Sequence, residues 1–156
     1  MAEVKLSRII EAPVERVWNS WDDFGSIDVF NPNLNKSFLL PGSRKTGLGA
    51  TRQCDLKDGK NYIQERITEY VPQRRMVVDI YNGTIPLKKA IAAIDIEAAG
   101  FDKSKVTFTM TFELKYGLIG KLMAPMMKRQ FRHLLGKLMD GNKAFVEGEP
   151  KLKLAA

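Results

Sequence analysis

The chain has little of what several common chemistries require. Its 156 residues contain one cysteine, Cys54, and one histidine, His133. A lone cysteine makes no internal disulfide, and one Cys with one His falls short of a closed zinc site. No apolar run approaches the roughly 20 residues of a membrane-spanning helix. Residues 1–6 carry no apolar signal-peptide core, which together predicts a cytoplasmic location. There is no internal repeat and no low-complexity segment. No nucleotide-binding glycine loop, metal-ligand cluster or nucleophile elbow appears, so no cofactor or metal is expected. No helix-turn-helix, zinc-finger or RNA-binding motif appears either, so no specific nucleic-acid partner is expected. A Ser–His–Asp enzyme would need His133 as its base. His133 lies between Arg132 and Lys137 with no carboxylate placed to orient it, and it reads as a surface residue.

What is present describes an ordinary folded domain. Hydrophobic residues make up 44% and charged residues 28% of the chain, too apolar for wholesale disorder. The length suits a single domain, expected over 1–147, with 148–156 as a flexible C-terminal tail. The formal net charge is +7. From Lys115 onward, nine Lys/Arg stand against Asp140, Glu147 and Glu149, so most of the excess is C-terminal. Aromatics are not interleaved with these charges. They read as a solvated helix face, with weak contact to an anionic surface left open and no membrane insertion expected.

The hydrophobic pattern gives an element order. Residues 4–10 are rich in β-formers and end at Ala12-Pro13, where Pro13 suits a helix start. Val14, Val17, Trp18 and Trp21 recur at helical spacing, and the two tryptophans read as core anchors. A second short helix is expected within 26–35. Strands follow at 37–40, 50–57, 60–70, 76–81, 89–97 and 105–114. In the last, Val106, Phe108, Met110, Phe112 and Leu114 alternate with polar residues, so one face is buried. A long amphipathic helix begins near Leu118. Pro125 predicts a kink, or a short helix followed by a longer one. Hairpin-connected strands make an antiparallel sheet, and the long helix must cover its apolar face. Met123, Met126, Met127 and Met139 suit a gap between the two layers, since thioethers fit irregular space.

One polar pair stands out. Asp58-Gly59 between two strands is a hairpin signal. A two-residue loop pairs Lys57 with Lys60, hence Cys54 with Ile63 and Arg52 with Glu65. Ile63 and Ile67 mark the inner face, so Arg52 and Glu65 are predicted to point inward side by side. Burying two charges costs several kcal/mol each, which favours a site over a purely structural pair. Arginine can hold a carboxylate or enolate through paired hydrogen bonds. A glutamate among apolar groups can move a proton. Cys54 shares the face. It is either a small buried hydrophobe or a thiol activated by Arg52.

The chain resembles the START-like (Bet v 1-like) helix-grip superfamily, and within it the bacterial polyketide cyclase/dehydrase group. The resemblance rests on Glu11-Ala12-Pro13-Val14-Glu15-Arg16-Val17-Trp18 followed by Asp23-Phe24, on Gly49-Ala50-Thr51-Arg52-Gln53-Cys54, on Asp58-Gly59 and Glu65-Arg66-Ile67, and on the final helix from Gly117 through Phe145. It implies an α+β helix-grip fold: a seven-stranded antiparallel sheet around a long C-terminal helix, two short helices after the first strand, and an internal hydrophobic cavity. Relatives similar to plant lachrymatory factor synthase use an arginine and a glutamate that match Arg52 and Glu65. Their functional tyrosine aligns with Ala90 here, leaving only Tyr81 or Tyr62 as substitutes.

Two functions remain open on these residues. The first is binding of a small hydrophobic, acidic, lipid- or polyketide-like molecule. The second is a cofactor-free cyclase, dehydratase or isomerase, with Glu65 as acid/base and Arg52 as oxyanion stabiliser. The expected cavity wall comprises Cys54, Ile63, Ile67, Phe108, Met110 and Phe112 from the sheet. The helix contributes Met127, Phe131, Leu134 and Leu138.

Overall fold

The computed structural model describes the backbone of residues 1–155 and the side chains of residues 1–148. The chain runs β1 (Ala2–Ile10), α1 (Val14–Asp22), a 3-10 helix (Phe24–Val29), then β2 (Leu34–Leu39), β3 (Thr51–Leu56), β4 (Tyr62–Val71), β5 (Arg75–Gly83), β6 (Leu87–Ala98), β7 (Ser104–Leu114) and α2 (Gly117–Ala155). This is the helix-grip arrangement: one antiparallel sheet in the order β1-β7-β6-β5-β4-β3-β2, wrapped around α2. Consecutive hairpins build β2 to β7, and β1 closes the sheet by pairing along the length of β7.

Alternation does most of the positioning. In β7 every even-numbered residue from Ser104 to Leu114 is buried and every odd one is not. Those even residues meet β1 and β6 partners of the same parity, Val4 opposite Met110 and Ala92 opposite Met110 among them. The inward face then buries against α1 and α2, with Trp18 and Trp21 both 3% exposed.

Several boundaries differ from the pattern. The second short helix is a 3-10 turn at Phe24–Val29, earlier than 26–35, and β2 starts at Leu34. The helix is continuous through Pro125, with no division into two segments. Exposure explains the tolerance: Pro125 and Lys121, whose carbonyl loses its helical partner, are both on the solvent side, where that carbonyl is not forced into an apolar interior. Over the expected tail at 148–156 the backbone is helical to Ala155, and the side chains beyond Gly148 lie outside the described residues.

The Asp58-Gly59 turn is wider than two residues. Leu56 N donates to Asn61 O, leaving 57–60 as the loop, and Gly59 N donates to Leu56 O. Asp58 Oδ1 accepts from both Lys60 N and Asn61 N at 2.8 Å. Gly59 takes φ +74°, the left-handed conformation glycine favours. The loop grew by one residue on each side, so the register survived: Arg52 faces Glu65 and Cys54 faces Ile63.

The β4–β5 pairing shifts twice, leaving Tyr81 unpaired beside Glu65 and Thr68 unpaired beyond Ile67. Such bulges bend strands and change which side chains face inward. After Thr68 the inward position passes to Tyr70, which stacks on Trp18 at 5.5 Å and donates to Asp22 Oδ1 at 2.6 Å. The second half of α2 is tied down by Arg8–Asp140 (2.7 Å), Asn142–Ser20 (2.9 Å) and Asn33 Nδ2 donating to Leu134 O (2.7 Å).

Candidate functional site

Between the inner face of the sheet and the middle of α2 lies a cavity of about 500 Å³. Its wall is apolar for most of its extent, formed by Trp21, Ile27, Val78, Ile80, Ala92, Ile94, Phe108 and Met110 with Met127, Phe131, Leu134, Leu135 and Leu138 of α2. The solvent-exposed members Lys57, Asp58, Gln130 and Lys137 mark its mouth, between the β3–β4 hairpin and α2.

Arg52 and Glu65 belong to this wall and are 5% and 6% exposed. Arg52 Nε donates to Glu65 Oε1 at 2.8 Å, and Nη1 donates to the Phe24 carbonyl at 2.9 Å. The guanidinium carbon lies 3.9 Å from the Phe24 ring centroid, a cation–π contact. Cys54 Sγ donates to the same Glu65 Oε1 at 3.3 Å. Among the described residues, nothing donates a hydrogen bond to Glu65 Oε2.

Burial by itself opposes the Arg52 charge. Burial is the largest single influence, but the Glu65 carboxylate and the neighbouring Cys54 together outweigh it and hold the guanidinium pKa above its ordinary value. Cys54 behaves in the opposite way to an activated thiol. Burial and the Glu65 carboxylate push its pKa well up, and the nearby Arg52 only partly opposes them. The reading of Cys54 as a reactive thiol is therefore corrected: at neutral pH it is a neutral donor to Glu65.

Of the expected wall, Cys54, Ile63, Phe108, Met110, Met127, Phe131, Leu134 and Leu138 line the cavity with Arg52 and Glu65. Ile67 and Phe112 do not. Ile67 is 1% exposed in the solid core, and Phe112 is covered by the Phe131 ring in a T-shaped contact with centroids 4.8 Å apart. The methionine stripe also divides: Met127 lines the cavity, Met139 is core, and Met123 and Met126 face solvent. His133 is exposed, as read. Tyr81 sits outside against Arg66 and Tyr62 is not in the wall, so neither stands in at the position of Ala90, which is itself sealed in the core.

Sequence reasoning missed the Asn31–Leu34 loop, the hairpin tip, Phe24 beside Arg52, and wall residues such as Trp21, Ile80, Ala92, Ile94 and Leu135. Phe24 had left a signal as part of the Asp23-Phe24 match, and the hairpin tip as the Asp58-Gly59 turn. The others reach the cavity through long-range folding. Among the described residues, no three His, Cys, Asp or Glu side chains converge as metal ligands.

The sequence profile of a family described as polyketide cyclase/dehydrase and lipid transport matches residues 1–144. The chain belongs to this family. The gripping sheet and the long helix have solved counterparts. The protein TTHA0849 from Thermus thermophilus superposes with a TM-score of 0.79 at 19% identity, over 95% of this chain and 99% of that one. A START superfamily protein from Mycobacterium smegmatis gives 0.78 at 17%, over 94% and 97%. The Zhui aromatase/cyclase from Streptomyces sp. R1128 gives 0.77 at 14%, over 94% and 93%. At these identities the likeness establishes the fold. No curated protein matches the chain in sequence.

Proposed function

We propose that this protein binds a small hydrophobic molecule bearing one acidic or carbonyl group. The apolar body would occupy the cavity, and the polar group would meet Arg52. The observation that carries this reading is a buried ion pair set into the wall of an otherwise mostly apolar space of about 500 Å³. That volume suits a small-molecule ligand. Arg52 has guanidinium N–H groups left after its bonds to Glu65 and Phe24, and each would be charge-assisted.

A second reading rests on Glu65 Oε2, a carboxylate oxygen in the same wall that accepts no hydrogen bond among the described residues. In a cofactor-free cyclase or dehydratase, Glu65 would take a proton from carbon beside a carbonyl. Arg52 would stabilise the resulting enolate. Among the described residues, the wall holds no tyrosine or histidine to serve as a partner acid, which makes binding the leading reading.

Native mass spectrometry of freshly purified protein, with identification of any co-purifying molecule, tests both. An apolar acid or polyketide-like compound, released by Arg52→Lys in a folded protein, supports binding. Turnover of that compound, lost in Glu65→Gln with affinity retained, supports the lyase or isomerase. An empty protein whose melting temperature responds to no member of a panel of apolar acids overturns both.

A further inference from the structure

The first turns of α2 combine two features that the cavity leaves unexplained. Leu118, Ile119, Leu122, Met123 and Met126, with Tyr116 just before the helix, are 41–75% exposed, in a molecule whose other large apolar side chains are mostly inside. Contiguous exposed apolar surface marks an interaction site. The second feature is charge. Between Glu113 and Asp140 there is no acidic residue, against six Lys/Arg (115, 121, 128, 129, 132, 137). Among the described residues, none of the six forms an ion pair, and no side chain from Leu118 to His133 makes a hydrogen bond.

Helical spacing arranges these groups. Ile119, Met123, Met126 and Gln130 follow at steps of four, three and four, one edge of the helix. Lys121, Lys128 and Arg132 lie on the opposite edge, with Leu118, Leu122 and Arg129 on the outward ridge between. An apolar edge flanked by cations is the composition of a helix that lies in a lipid–water interface.

We propose that the front of α2 docks on an anionic lipid bilayer, Ile119, Leu122 and Met126 entering the acyl boundary while Lys121, Lys128 and Arg129 meet lipid phosphates. Charge complementarity selects this occupant. A second copy on a two-fold axis would set unpaired cations against the same cations. RNA would use the charge and leave five aliphatic side chains in water. The same apolar edge leads to Gln130 at the cavity mouth, so docking would bring the mouth to the membrane surface. The proposal does not depend on what the cavity holds.

The test is co-sedimentation of the full chain with vesicles of phosphatidylcholine alone and of phosphatidylcholine with phosphatidylglycerol, at low and high salt. Binding is expected on the anionic vesicles, weakening with salt. Lys121→Glu with Arg129→Glu should weaken it at least tenfold, and so should Leu122→Asp. These side chains are exposed, so circular dichroism and melting temperature should not change. Ile119→Trp, which deepens the apolar edge, should bind tighter. The proposal is overturned by failure to bind any vesicle, or by binding that Leu122→Asp leaves intact. It is equally overturned by a dimer in analytical ultracentrifugation that Leu122→Asp dissociates, or by RNA retention on a filter without vesicle binding.

Discussion

The Arg52 guanidinium is fixed by Phe24 twice over, through the ring 3.9 Å beneath it and through the carbonyl oxygen 2.9 Å from Nη1. Two residues 28 apart in sequence thus set the orientation of the buried cation in the cavity wall. Phe24→Leu keeps the carbonyl and removes the ring. It should cost about 1–2 kcal/mol from the cation–π contact and the lost packing. Ligand affinity should fall further than stability does, as paired urea unfolding and binding titrations would show.

Breaking the ion pair should cost more than replacing it. Arg52→Met leaves Glu65 buried without its partner, at about 3–5 kcal/mol. Arg52→Met with Glu65→Leu should recover most of that loss. Equal urea midpoints for the single and double variants would contradict the pairing.

Cys54 makes stability depend on alkaline pH. Its folded pKa is raised, so above the ordinary thiol value of about 8.5 the unfolded chain has released a proton that the folded one keeps. The contribution is complete below that pH and is lost as pH rises toward the folded value. Stability should therefore decline above about pH 8.5, less steeply in Cys54→Ala. A thiol reagent at pH 8 should modify the unfolded chain and spare the folded one. Rapid labelling of native protein would contradict the assignment.

Ala92 is a small residue in the cavity wall, 4% exposed on a central strand. Ala92→Leu places three more carbons in empty space. It should hold or raise the melting temperature while reducing ligand affinity at least tenfold. Trp21, also in the wall, provides the fluorescence readout.

Gly141 brings α2 against the loop after the 3-10 helix. A Cβ there would overlap the Phe30 carbonyl oxygen. Gly141→Ala should cost about 1–3 kcal/mol by forcing helix and loop apart. An unchanged unfolding midpoint would show that the contact is dispensable.

Much of this was legible in the chain. The period of two in residues 104–114 assigned the inner face of β7, and Asp58-Gly59 set the parity that turns Arg52 and Glu65 inward. Both are local signals: side chains alternate along any strand, and a hairpin lengthened symmetrically keeps its register. The sequence also carried the order of elements and the basic, acid-free stretch of α2.

Tertiary structure decided which inward residues meet empty space and which meet one another. Ile67 and Phe112 share the parity of Ile63 and Met110, yet Ile67 is sealed in the core and the Phe131 ring of α2 covers Phe112. Cys54 shares a face with Arg52, yet burial and the Glu65 carboxylate beside it suppress the thiolate. Met123 and Met126 read as cavity or core by composition, yet the helix carries them into solvent. In each case the outcome turns on distances of a few ångströms between segments far apart in sequence. Periodicity assigns a face, but only the docking of one layer on another says what that face touches.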